Sequence, residues 1–138
     1  MSDIYQGEGR DEWFFPEDSY ILSETDDKGI IIYANQMFCE LAGYELDELI
    51  GEPHNIVRHP DMPRIAFKGL WDDIQSKGFW TGIVKNRRKD RGYYWVHATA
   101  LRRIDSNGNY TYLSIRRVPK KSEIEACIPL YTDLKSKE

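Results

Sequence analysis

Two stretches, Asn55-Ile-Val-Arg-His-Pro-Asp-Met-Pro63 and Trp80-Thr-Gly-Ile-Val-Lys-Asn-Arg-Arg-Lys-Asp90, decide how the rest of the chain is read. The first is a short loop carrying two potential cations and a carboxylate, Arg58, His59 and Asp61, with Pro60 stiffening it. Asp61 is a predicted helix N-cap with Pro63 in the first turn. Phe67, Leu70, Trp71 and Ile74 then recur at helical spacing, and Lys77-Gly78 closes the helix. A helix start beside Arg58 suits a phosphate. Capping alone accounts for Asp61, and a lone His59 is more often a structural hydrogen-bonder than a ligand. The second stretch reads as a strand from Phe79 to Asn86, and alternation puts Trp80, Gly82, Val84 and Asn86 on one face. Turned inward, that face aims a planar ring, a gap and an amide at one cavity, the set an aromatic heterocycle needs. Spacing by itself favours the plainer reading, with Trp80 as core and Asn86 as a strand-end contact.

Working outward, Tyr20 to Thr25 and Ile30 to Ala34 form a predicted hairpin across the turn Asp26-Asp-Lys-Gly29. Asn35 caps a short helix bearing Met37, Phe38, Leu41 and Ala42, which Gly43 ends. Leu46, Leu49 and Ile50 mark a further helical turn, stopped by Gly51 and Pro53. Beyond Asn86, strands are predicted over Tyr93 to Arg103 and Tyr110 to Val118. Asn107-Gly108 joins them as a turn with both positions at positive φ. Glu123 to Leu134 looks helical but is interrupted by Pro129. Three regions follow: a leader over 1–19 with Trp13, Phe14 and Phe15 as an aromatic anchor, a domain over 20–118, and an exit segment over 119–138. An antiparallel sheet with helices on one face, enclosing a pocket, buries these elements economically.

At 138 residues with 41% hydrophobic and 30% charged residues, the chain suits one globular domain rather than a disordered segment. The apolar run Ile30 to Ala34 is far too short to span a membrane. Met1-Ser-Asp-Ile has neither the basic nor the apolar part of a signal peptide. A cytosolic protein, or the cytosolic piece of a larger one, is therefore expected. Cys39 and Cys127 lie far apart with no CxxC or Cys/His cluster, which disfavours a structural zinc site or a disulfide. A net charge of −4 argues against nucleic-acid binding. Residues 1–30 hold nine acids and two bases, whereas Lys85, Arg87, Arg88, Lys89 and Arg91 form a basic knot. That knot reads as a solvated hairpin tip, with an anion or partner site as the alternative. No Ser/His/Asp set, P-loop or GxGxxG occurs, and Asp72-Asp73 and Asp26-Asp27 read as solvated, so no catalytic site is expected.

These motifs resemble the PAS family over roughly residues 20–118. Asp26 to Asn35 resembles the family's opening hairpin and helix-starting Asn, and Leu41-Ala-Gly-Tyr44 with Glu48-Leu-Ile-Gly51 its second landmark. The sharper resemblance is to the flavin-binding PAS domains of bacterial aerotaxis receptors. It runs through Pro53 to Pro63, Trp80 to Lys89, Tyr94-Trp-Val96 and the exit segment Ile128-Pro-Leu-Tyr131. It implies an α+β PAS fold, with a five-stranded antiparallel sheet and helices on one face around a cofactor pocket. It implies non-covalent FAD, with Arg58, His59 and Asp61 in the FAD site, Trp71 and Trp80 as cofactor-side aromatics, and Asn86 facing the flavin ring. Photoreceptor PAS domains differ: they place a reactive Cys shortly after the glycine corresponding to Gly51, where this chain reads Glu52-Pro-His-Asn55.

The resemblance thus points to a non-catalytic redox sensor for aerotaxis or energy taxis, signalling to a chemotaxis domain or receptor in the same or a separate chain. A homodimer is compatible with it. Two other readings keep the fold: a haem-binding gas sensor using His54, His59 or His97, and a ligand-free dimerisation module.

Overall fold

The fold is described from a computed structural model covering residues 3–8 and 11–138. Met1, Ser2, Gly9 and Arg10, part of the expected leader, lie outside the described residues. The leader contributes a small hairpin of β1 (Tyr5–Gln6) and β2 (Trp13–Phe14). The main sheet contains β3 (Ile21–Thr25), β4 (Ile31–Ala34), β5 (Phe79–Arg87), β6 (Tyr93–Ile104) and β7 (Tyr110–Arg117). Its spatial order is β4-β3-β7-β6-β5 and every pairing is antiparallel, giving the expected five-stranded sheet.

Between β4 and β5 come α1 (Gln36–Ala42), α2 (Leu46–Leu49), a 3-10 turn (His54–Val57) and α3 (Arg64–Lys77). Asn35 caps α1 by accepting from the Phe38 amide, and Gly43 ends it at φ 76°, a conformation that favours glycine. Phe38, Leu41, Leu49 and Val57 are buried with Ile21 and Ile31, so these segments close the core over one face of the sheet. α4 (Lys121–Ser136) lies elsewhere. It borders a groove with Lys85 and Trp95, whose side chains alternate with those facing α1 to α3.

Three local expectations are corrected. α3 begins at Arg64 with Pro63 as its N-cap and no side-chain cap. Asp61 bonds to Lys85 instead, and Glu138 accepts from the Arg64 amide at 2.5 Å. α4 runs through Pro129 without a break. A proline inside a helix costs about 3 kcal/mol relative to alanine, and α4 is docked on the sheet through Tyr131, whose hydroxyl donates to the Ile83 carbonyl at 2.6 Å. The β6–β7 turn places only Gly108 at positive φ. Asp105 accepts from the Asn107 and Asn109 amides, so the chain turns through a three-residue loop with one left-handed position.

The basic knot is also not uniformly solvated. Arg87, Lys89 and Arg91 are exposed, whereas Arg88 is buried. The Arg88 guanidinium donates to the Leu41 carbonyl at the end of α1, pairs with Asp90 at 3.2 Å, and lies 3.7 Å from the ring centre of Trp13. The aromatic anchor of the leader thus has its partner on the β5–β6 turn.

Candidate functional site

Between the sheet and α3 lies a cavity of about 320 Å³. The sheet presents inward-facing residues of β5 and β6, namely Trp80, Val84, Asn86, Val96, Ala98 and Ala100. Small side chains on β6 leave the space that Phe67, Leu70, Trp71 and Ile74 roof over from α3. Gly82 has a specific task in this wall. A Cβ at that position would fall 2.4 Å from the Trp80 indole, so the ring lies across the bare backbone of its own strand. Asn86 is 4% exposed and sits opposite Tyr94 in the β5–β6 register. Tyr94 is buried, its hydroxyl lacks a hydrogen-bond partner of ordinary geometry, and burial pushes its pKa up to about 12. The Asn86 amide is its polar neighbour.

The polar end of the cavity is built from Arg116 and Ser23, which the sequence did not single out, and from His54, which it offered only as a haem ligand. Arg116, 2% exposed, donates to Ser23 Oγ at 2.5 Å and stands 3.4 Å from His54 Nε2. Its Nε has no partner, and among the described residues no carboxylate pairs with it. Its guanidinium sits 4.5 Å from the Phe38 ring centre. Burial lowers its pKa to about 10, so the group remains a cation at neutral pH. His54 Nε2 also lies 3.1 Å from Ser23 Oγ. Burial, and then the charge of Arg116, push the His54 pKa down to about 3, so the imidazole is neutral. An unmatched cation inside a fold is costly unless an acceptor completes it. One signal in the sequence was available: Tyr112, Ser114 and Arg116 alternate as polar or amphipathic residues on the inward face of β7.

The predicted site residues separate into two groups. Arg58, Trp71, Trp80 and Asn86 all line the cavity. Arg58 stacks its guanidinium 4.0 Å above Phe67, and the partly exposed Trp71 meets Tyr112 edge-on at 5.1 Å. His59 and Asp61 do not line it. Asp61 pairs with Lys85 at 2.9 Å and lines the groove beside α4, and His59 sets its ring against Tyr93 at 6.0 Å. His97 is likewise absent from the wall, so of the three histidines only His54 reaches the cavity, and it faces a guanidinium. Among the described residues no cluster of three or more His, Cys, Asp or Glu could hold a metal ion. Cys39 and Cys127 do not line the cavity.

The comparisons with known proteins agree with this architecture. The chain is 44% identical over 118 residues to the aerotaxis receptor of Escherichia coli K12, covering 86% of this chain and 23% of that protein. It is 30% identical over 100 residues to a nitrogen fixation regulatory protein of Klebsiella oxytoca, covering 72% of this chain and 20% of that one. The chain therefore spans about a quarter or less of the curated relatives it matches. A light-oxygen-voltage domain studied with a flavin analogue shares the fold at TM-score 0.66 and 22% identity, over 86% of this chain and 87% of that one. No helix among the described residues is long and apolar enough to cross a membrane. The PAS fold profile matches residues 31–115, from the start of β4 well into β7, and the chain belongs to the PAS fold family.

Proposed function

We propose that this domain holds FAD without a covalent bond and reports its redox state, as a non-catalytic sensor feeding a chemotaxis output. One observation carries the reading. An apolar cavity with a tryptophan wall ends on a buried amide, Asn86, and on a buried guanidinium, Arg116, that no carboxylate among the described residues neutralises. The residues fit the group. A flat ring meets Trp80 and the small side chains of β6, and ring carbonyls and nitrogens find donors in Arg116 and a two-way partner in Asn86. A volume near 320 Å³ is at the lower end of small-molecule sites, about 300–1,000 Å³. It suits the ring, and Arg58 and Lys28, which also line the cavity, would hold the diphosphate.

Bound FAD supplies reversible electron transfer, and reduction changes the charge and hydrogen-bonding demand of its ring. The protein's part is to hold a fixed cation, exclude water and answer with an amide that can turn over. The likeness to the aerotaxis receptor supports a chemotaxis partner in the same or another chain, working in the cytoplasm. The test is the absorption spectrum of the gently purified protein, followed by heat release and mass measurement of the cofactor. FAD is the expected product. FMN, a haem spectrum or no chromophore would each overturn the reading.

A further inference from the structure

The loop that sequence reasoning placed in the cofactor site is fastened to β5 from the side opposite the cavity. Asp61 and Lys85 are 2.9 Å apart, and Lys85 is enclosed, with 17% of its side chain exposed. Its ammonium stands 4.4 Å from the Tyr93 ring centre and 5.8 Å from that of Trp95. Neighbouring contacts bind the same two segments. The buried Met62 accepts the Lys85 amide on its sulfur at 3.5 Å, and Arg58 forms an isolated antiparallel bridge with Asn86. His59 completes the clasp by accepting the Asp61 amide on Nδ1 at 3.0 Å while its ring edge meets Tyr93. Lys85 and Asn86 are adjacent on one strand, so one points away from the cavity and the other into it.

We infer that Asp61 and Lys85 are a positioning pair for the cavity: they fix Arg58 against Asn86, and so govern how tightly the ligand is held, without touching it. The inference rests on the FAD reading and adds to it residues that act from behind the wall. Neither side chain lines the cavity, whereas both residues they register, Arg58 and Asn86, do. Lys85 is the covered member and Asp61 is 68% exposed, so separating the two leaves the Lys85 ammonium without its carboxylate and with poor access to water, which resists sliding of one segment past the other.

The full chain carrying its flavin is compared with Asp61→Asn, Lys85→Gln and the double variant. Flavin release is timed after mixing with excess flavin-scavenging protein, and visible circular dichroism of the flavin bands reports the ring's surroundings. Each single change should speed release on the order of tenfold. The double variant should release no faster than the faster single, and all three should show the same altered band shape. Lys85→Arg, which keeps the charge, should restore slow release and the wild-type bands. Loss in Asp61→Asn alone would mean that Asp61 touches the ligand directly. Effects that multiply in the double variant, failure of Lys85→Arg to rescue, or unchanged release in both singles would also overturn the inference. A wild type that carries no flavin sinks the FAD reading instead. The pair is then judged by hydrogen exchange, where both singles must loosen residues 58–63 and 84–87 alike, and unequal or absent loosening counts against it.

Discussion

Arg116 stands 3.4 Å from His54 Nε2 and donates to Ser23 Oγ, and it does so fully buried, with no carboxylate partner among the described residues. A fold that tolerates this arrangement gives up stability to keep a cation at the cavity wall.

Replacing that cation should therefore separate stability from binding. Arg116→Met should raise the stability of the ligand-free protein by about 1–2 kcal/mol, since a buried charge gives way to an apolar chain of similar length. The same variant should retain far less cofactor. Thermal unfolding and the flavin-to-protein ratio check the two halves, and a variant that is less stable yet still fully loaded contradicts both.

His54 sets an acid sensitivity. Its folded pKa, about 3, lies below the ordinary 6.5, so the unfolded chain takes up the proton first. Stability is then unaffected by His54 above pH 6.5 and falls as pH drops from 6.5 toward about 3. His54→Asn should flatten the slope of stability against pH between 6.5 and the range where carboxylates titrate. Denaturant unfolding across that window measures it, and equal slopes in both proteins would show that His54 is not the responsive group.

The Trp80 wall predicts a contrast among three variants. Trp80→Ala should lower cofactor occupancy with the fold intact, because the ring's apolar contact is lost. Gly82→Ala should do the same, because the new Cβ, only 2.4 Å from the indole, displaces it. Trp13→Ala removes the ring stacked on Arg88 and should cost about 1–2 kcal/mol of stability while leaving occupancy unchanged. Absorbance ratios and melting curves distinguish these outcomes. Equal loss of cofactor from Trp13→Ala would mean that the binding wall lies elsewhere.

Asn86 is the expected switch. Its amide is buried beside the Tyr94 hydroxyl, two residues before Arg88, which packs on Trp13 of the leader. A ligand drives a change only through its difference in interaction with the two states. Asn86→Ala should keep the fold but erase the difference in hydrogen exchange between oxidised and reduced protein at the β5–β6 turn and residues 11–15. The idea fails if the wild type shows no such difference or the variant keeps it.

The strand and helix pattern was legible in the chain because local rules govern it. Asn35 and Gly43 cap α1 as their types require, and strand ends fell within a residue or so of their predicted places. The shared face of Trp80, Gly82, Val84 and Asn86 follows from alternation alone, and the cavity confirms that this face looks inward. Local rules misjudged Asp61 and Pro129, because contacts distant in sequence decided both. Lys85 claimed the Asp61 carboxylate, Glu138 took over at the start of α3, and Tyr131 helped dock a helix that its proline weakens. That Ser23, His54 and Arg116 meet at the polar end of the cavity was out of reach for the same reason. Ser23, His54 and Arg116 are separated by 31 and 62 residues along the chain, and only the β3–β7 pairing and the turn before α3 bring them within hydrogen-bonding distance. Sequence determined which side chains could face inward. The tertiary structure decided which of them meet, because burial and desolvation act on neighbours in space.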